Sequence, residues 1–324
     1  MSIESIPKII KPVLRVHFTD FWKDFDPENN FFINLLRESF SVEIDPVHPE
    51  ILFYSYTGTD FLNFECIRVF FTGENIRPRL MDCDYALCYD YSSDKRIIRL
   101  PLYVLYKGFR DLVKPKEVDS LISQKSKFCS FVVSNKYARK RISFYRKLSK
   151  YKKVDSGGTY LNNIGYPVVD KGEFLKPYKF NIAFENTSYP GYTTEKVMQP
   201  MVAGSIPIYW GNPLIDQDFN TKSFINWHEY GSDNAVIDKI IELDQDEDKY
   251  RKMLTETWLA DNKFNRYNDI NLIKQNLNSI IVDARFKTPV GTIAVSKFLS
   301  VSFNHIIRPV NVNMVKLRRK LTGF

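Results

Sequence analysis

The stretch Lys179–Pro213, KFNIAFENTSYPGYTTEKVMQPMVAGSIPIYWGNP, constrains this chain more than any other. It opens on an apolar run, Phe180–Phe184, of the length and β-rich content of a buried strand. Asn186-Thr187-Ser188-Tyr189-Pro190-Gly191 follows, full of residues that form turns rather than continue a strand. Thr193 and Thr194 then offer N-caps, and Val197, Met198, Met201 and Val202 recur at helical spacing. Gly204 ends that helix, and Ser205–Gly211 reads as the next strand. The stretch is one β-α-β unit with its polar residues in the loops.

The first turn of that helix holds an informative pair. Glu195 suits the positive end of a helix dipole, whereas Lys196 beside it does not. A lysine added where backbone N–H groups already point outward makes a site for a phosphate or diphosphate. The alternative is a solvated surface lysine, the usual fate of such residues. Pro200, inside the same helix, cannot donate to the carbonyl of Lys196, which predicts a kink or an irregular start.

A length of 324 residues leads us to expect two domains, and 25 Phe and 19 Tyr supply ample core, with packing their main use and sugar platforms a second one. No apolar run approaches the roughly 18 to 20 residues that span a bilayer, and the first residues lack the pattern of a signal peptide. Cys66, Cys83, Cys88 and Cys129 fit neither a disulfide framework nor a zinc pattern, and read as reduced thiols in a cytosolic protein. The net charge of +8 comes without any nucleic-acid motif, which leaves a nucleotide diphosphate or an anionic membrane as explanations.

In chain order, strands are expected at Val13–Phe18, Val42–Ile44, Ile51–Tyr56, Arg68–Thr72, Tyr85–Tyr89 and Ile97–Leu100, with a helix at Phe31–Phe40. Asp111–Lys127 reads as a connector. A second half then starts with a strand at Phe128–Val133, a basic helical stretch at Lys136–Lys150 and a flexible turn at Ser156-Gly157-Gly158. Helices are expected at Ala235–Leu243 and Glu247–Leu259. Strands alternating with crossovers predict parallel α/β sheets, in which ligands gather beyond the C-terminal strand ends. Glu74 stands at such an end, either as a reactive carboxylate or as an exposed loop residue. His305–Lys320 is basic with apolar residues interleaved: a membrane-surface segment, a packed helix or a ragged end.

Phe184-Glu185-Asn186, Tyr192-x-Thr194-Glu195-Lys196, Ile206–Gly211 and Asp218-Phe219-Asn220-x-Lys222-Ser223-Phe224 resemble the α-1,3/4-fucosyltransferases, glycosyltransferase family 10, and their bacterial members above all. The likeness is dense from about Phe128 to Trp227 and thinner over Phe70–Asn75 and Tyr85–Tyr103. It implies a GT-B-like fold, two Rossmann-like domains facing a cleft with C-terminal helices. The expected division is 1–127 (acceptor side), 128–290 (GDP-fucose side) and 291–324 (a basic helical tail). It further implies inverting transfer of fucose from GDP-fucose to a β-galactosyl-N-acetylglucosamine-type acceptor. Glu74 matches the family's proposed base and Arg141 its diphosphate-binding arginine. Lys196 would share that anion, Glu195 would contact ribose or fucose, and Asn186 and Tyr192 would line the pocket. Animal members carry an N-terminal membrane helix that has no counterpart here. A bacterial cytoplasmic enzyme is therefore implied, with the tail near the inner membrane.

Sugar transfer from a nucleotide needs a base for the acceptor hydroxyl and positive charge for the departing diphosphate. Asp24-Phe25-Asp26 and Asp82-Cys83-Asp84 match the Asp-x-Asp metal pattern, which is short and common by chance. The expectation is a metal-free site with no required cofactor, a divalent ion acting at most as a stimulant. Two competing readings are a metal-dependent glycosyltransferase using another nucleotide sugar and a non-catalytic carbohydrate- or nucleotide-binding protein.

Overall fold

A computed structural model of the chain describes residues 11–284 and 286–290. The first half gives β1 (Val13–Thr19), α1 (Phe31–Ser39), β2 (Ser41–Ile44), β3 (Ile51–Tyr54), β4 (Ile67–Phe71), β5 (Tyr85–Cys88) and β6 (Ile97–Arg99). These strands form one parallel sheet in the order β2-β1-β3-β4-β5-β6. Every residue of β3 and β4 is buried, as expected where both faces of a parallel sheet are covered. Asn30 caps α1 by accepting from the Ile33 amide, and the helix buries Phe32, Ile33, Leu35 and Leu36 against the strands. Much of the aromatic content goes into this packing: Phe53 stacks on Phe18 at 5.2 Å and on Phe32 at 5.1 Å.

The segment expected to be a plain connector contains α2 (Val118–Ser123). The second half follows with β7 (Lys127–Phe131), α3 (Arg139–Leu148), β8 (Val154–Ser156), α4 (Lys171–Leu175), β9 (Tyr178–Phe184), α5 (Glu195–Val202), β10 (Ile206–Trp210) and β11 (Ile225–Asn226). After it come α6 (Trp227–Tyr230), α7 (Asp233–Gln245), α8 (Glu247–Thr255) and α9 (Ile270–Ala284). Its parallel sheet has the order β11-β10-β9-β7-β8. Both halves thus follow one plan, with the second strand outside the first and the chain reversing direction between the first and third. In doubly wound sheets that reversal opens the crevice where ligands bind.

The turn after β8 lies close against the backbone at Val133. A Cβ on Gly158 would lie 1.9 Å from the Val133 carbonyl oxygen, so the glycine is there for close backbone approach. Helix α9, unexpected from sequence, lies on the first half: Lys274 pairs with Glu38 at 2.6 Å and Asn278 donates to Ser39 at 3.3 Å. Tyr85 also hydrogen-bonds to Asp283. Among the described residues no helix is long and apolar enough to cross a membrane. The four cysteines are free, and burial pushes the thiols of Cys66 up to about 11 and of Cys83 and Cys88 to about 12. The basic tail expected at 291–324 lies outside the described residues.

A buried ion pair ties the halves together. Arg99, at the end of β6, donates two hydrogen bonds to Asp218, at 2.8 and 2.7 Å, with both side chains almost wholly buried. Its guanidinium lies over the ring of Tyr91, 4.2 Å from the centroid, and also donates to the Tyr89 carbonyl. Asp218 accepts from Thr193 as well. Gly191, with φ +86°, completes the contact: a Cβ there would meet the Tyr89 carbonyl oxygen at 2.3 Å.

Candidate active site

In the second sheet the reversal falls between β7 and β9, and two of the expected residues meet there. Arg141 comes from α3, the helix that follows β7, and Asn186 from the loop that follows β9. Arg141 donates from Nη2 to Asn186 Oδ1. The arginine is only 4% exposed, and its Nε is buried without a hydrogen-bond partner. Burial lowers its pKa, with the charges of Glu185, Tyr192, Glu195 and Glu74 opposing. The stretch it belongs to therefore divides in two. Arg141 turns inward with Phe144 and Leu148, while Lys136, Arg139, Arg146, Lys147 and Lys150 line a separate surface groove.

Helix α5 begins beside this pair, capped by Thr194, whose hydroxyl accepts from the Lys196 amide. The helix spans Glu195–Val202 with Pro200 inside it. Sequence reading passed over the residue that organises this corner. Glu185, 1% exposed at the end of β9, accepts from the Thr194 amide at 2.7 Å and from its hydroxyl at 2.8 Å. Lys196 Nζ reaches Thr194 Oγ1 at 2.9 Å, Glu185 at 3.3 Å and Glu195 at 3.4 Å. So Lys196, its side chain 21% exposed, is not a solvated surface lysine. Burial alone would lower its pKa, but Glu185 and Glu195 outweigh that and raise it. For Glu195 burial works upward and Lys196 and Lys171 pull the net shift downward. The signal that was available for Glu185 is an acidic residue closing an apolar strand directly ahead of a turn.

Tyr192 is almost wholly buried and packs edge-on against Tyr89 of the first half, ring centroids 5.2 Å apart. It sits in the contact between the halves more than in an open pocket. Burial and the carboxylates of Glu74 and Glu185 raise its pKa.

Glu74 follows β4, near the middle of the first sheet. The Thr72 hydroxyl accepts from its amide at 3.1 Å and donates to its carbonyl at 3.0 Å. Gly73 leaves room for Leu102, which a Cβ would meet at 2.7 Å. The charge of Glu74 is felt across the cleft by Arg141, Lys196 and Tyr192. It also borders a cavity of about 600 Å³ on the first half, together with Trp22, Asp24, Tyr56 and Tyr106. Burial, with Glu195 adding to it, pushes the Tyr106 hydroxyl up to about 12.

Three of the four Asp-x-Asp carboxylates are engaged elsewhere. Asp84 accepts from the amides of Arg68 and Val290, and Asp82 pairs with Arg79. Asp26 holds its own loop by accepting from the amides of Glu28 and Asn29. Among the described residues, no cluster of three or more His, Cys, Asp or Glu side chains forms a metal-binding set.

Two parallel, doubly wound sheets, one carrying Arg141 and the start of α5 and the other Glu74, are the architecture of a GT-B glycosyltransferase. Two family models match this chain: the alpha-(1,3)-fucosyltransferase FucT N-terminal domain over residues 16–106 and glycosyltransferase family 10 (fucosyltransferase) C-term over 122–277. The chain belongs to that fucosyltransferase family. It is 32% identical to the alpha-(1,3)-fucosyltransferase FucT of Helicobacter pylori, over 89% of this chain and 68% of that protein. A crystal structure of an α1,3-fucosyltransferase superposes with a TM-score of 0.77 at 28% identity, covering 90% of this chain and 95% of the other. Another, of an α1,3-fucosyltransferase with GDP-fucose, gives 0.74 at 30% identity, covering 87% and 93%.

Proposed function

We propose that this chain is an inverting α-1,3-fucosyltransferase that moves L-fucose from GDP-fucose to the GlcNAc of an N-acetyllactosamine-type glycan. Glu74 takes the proton of the acceptor hydroxyl as its oxygen attacks the anomeric carbon of fucose. The bond from that carbon to the β-phosphate oxygen breaks, and GDP leaves on the opposite side. One displacement inverts the centre, so β-configured GDP-fucose gives an α-linked product. Arg141, Lys196 and the start of α5 take up the charge that develops on the diphosphate. In this reading Asn186 orients Arg141, Glu195 meets the ribose or fucose, and Tyr192 closes the pocket wall.

The observation that carries the reading is the buried Arg141 Nε without a partner, beside a helix start and within the field of Glu74. An unpaired buried donor costs stability, and an anionic ligand would satisfy it. The relative with GDP-fucose supports the choice of donor. Turnover is proposed to need no metal, because basic side chains meet the leaving group. The division 1–127, 128–290 and 291–324 goes with this proposal, as does a cytoplasmic enzyme whose basic tail touches anionic lipid. The test is incubation of the purified chain with GDP-fucose and a panel of acceptors, with and without EDTA, and NMR of the product. An α-1,3-linked product formed at unchanged initial rate in EDTA is the expected result. A β-linked product would remove the mechanism, and loss of turnover that only metal restores would favour the metal-dependent reading.

A further inference from the structure

The loop that carries Glu74 is tied down at more points than Thr72, and the further ties lead to the second half. The Tyr89 hydroxyl donates to Asn75 Oδ1 at 2.6 Å, one residue past Glu74. Arg77, two residues further on, pairs with Asp90 at 2.7 Å and lies over the ring of Tyr189, 4.8 Å from its centroid. Tyr189 belongs to the loop between β9 and α5, which also carries Asn186 and Tyr192.

Tyr89, just past β5, is itself fixed by that loop. It is buried, and its ring packs edge-on against Tyr192 at 5.2 Å and Tyr189 at 5.8 Å. Its carbonyl accepts from Arg99 at 3.1 Å and lies so close to Gly191 that no side chain fits there. Arg99 in turn donates to the Gly191 carbonyl at 3.4 Å and to Asp218. Ring and carbonyl are thus both held, which leaves the hydroxyl as a fixed point. Burial raises its pKa, with the charge of Asp90 adding to the effect, so the group stays protonated and donates. Asn75 is exposed, so water can replace the hydroxyl there at small cost to stability. What the bond supplies is position. A general base acts only within hydrogen-bond reach of the acceptor proton, and a displacement of about 1 Å can cost about 10²-fold in rate.

We infer that Tyr89 is a positioning residue for the transfer step: its hydroxyl sets the place of Glu74 through Asn75, and its ring and carbonyl take that place from the loop between β9 and α5. The inference rests on the fucosyl-transfer reading above, with Glu74 as the base. Its test measures initial rates with GDP-fucose and N-acetyllactosamine in the parent, Tyr89→Phe, Asn75→Ala and the double variant. Tyr89→Phe removes one oxygen and keeps the ring contacts. Each single change is expected to lower kcat about 3- to 10-fold, the weight of one hydrogen bond. KM for GDP-fucose, calorimetric GDP affinity and melting temperature are expected to stay at parental values. The double variant is expected to be no slower than the slower single one, because both changes remove the same bond. Parental kcat in Tyr89→Phe, or losses that multiply in the double variant, overturns the inference and leaves fucosyl transfer intact. So does a fall in GDP affinity or melting temperature that accompanies the loss of kcat, since Tyr89 would then act on the donor loop or on the fold. A parent enzyme that transfers no fucose overturns both the reading and the inference built on it.

Discussion

The two sheets share one strand order but build their crevices from different materials. In the second, Lys196 is held by the carboxylates of Glu185 and Glu195, and Arg141 is buried and hydrogen-bonded to Asn186. In the first, three carboxylates (Asp24, Asp26 and Glu74) and an aromatic loop border an open cavity. A fixed anion is best met by charges oriented in advance, because no reorganisation is then needed when it binds or leaves. A neutral sugar offers no such handle and is held by shape and stacking. The proposed split of labour, chemistry and acceptor on one side and leaving-group charge on the other, predicts that variants fall into separable classes.

The largest effect is expected at Glu74. In Glu74→Gln the side chain keeps its shape but is far less basic, so kcat and kcat/KM should fall together by about 10²- to 10⁴-fold. GDP affinity, set by the other half, should stay at the parental value in calorimetry. Near-parental kcat would remove Glu74 as the base, and a parallel loss of GDP affinity would show that the halves are not separable.

Arg99→Ala addresses what holds the halves in register. It would leave Asp218, whose carboxylate is buried, with neutral partners such as Thr193, Asn212 and Tyr103 in place of a bidentate cation. Breaking a buried pair from one side typically costs about 3 to 5 kcal/mol. Urea unfolding should report a loss of that size. A loss below about 1 kcal/mol would mean that the Tyr89–Tyr192 and Gly191 contacts carry the interface.

Arg141→Ala and Lys196→Ala come next, each weakening GDP by about 1.5 to 3 kcal/mol if the lost contact is charge-assisted. The two differ in the free enzyme. Lys196 is a partner of the buried Glu185, whereas Arg141 contributes an unpaired Nε. Lys196→Ala should therefore also lower the melting temperature, and Arg141→Ala much less. Equal GDP affinity in parent and both variants would remove the anion site.

The sequence made most strands of both sheets legible because buried parallel strands are continuous apolar runs. β8 and β11, three and two residues long, are too short for any periodicity to register. Helix α9 was legible in principle, since Ile273, Leu277, Ile280 and Ile281 recur at helical spacing, but the family likeness fades there. Of the site, Glu74, Arg141, Asn186, Glu195 and Lys196 could be named from motifs. What the motifs did not give was pairing. Arg99 and Asp218 are 119 residues apart, and nothing local in either stretch says that they meet. Glu185 was hidden for another reason: its place at the end of an apolar strand is visible, but nothing local says that it holds Thr194 and Lys196.

The smallest effect expected is an acid response centred on Asp244 and Asp233 in the second half. In the first half burial raises the pKa of Asp20, Asp84 and Asp90 above the usual carboxylate value. In the second, Asp244 lies between Lys152 at 2.9 Å, the Tyr151 hydroxyl at 3.0 Å and Lys179 at 3.4 Å. Burial works upward there too, but Lys152, Tyr151 and Lys179 bring its pKa below 3.8, as Lys140, Lys147 and Trp227 do for Asp233. A raised folded pKa means that the native state binds protons more readily than the unfolded chain, so mild acid favours the fold at Asp20, Asp84 and Asp90. A lowered one means the reverse. The contributions of Asp244 and Asp233 are present above the unfolded pKa near 3.8 and are lost as pH falls through the folded value. Each is expected to be worth about 1 kcal/mol or less, the range of partly screened ion pairs. Hydrogen exchange read by mass spectrometry from pH 6 to 3, corrected for intrinsic rates, should show the segments that Asp244 and Asp233 hold, α3, β9 and α7, loosening as the pH falls. Asp244→Asn should flatten that acid limb in the second half alone. An acid limb unchanged by Asp244→Asn would show that Asp244 does not carry this response.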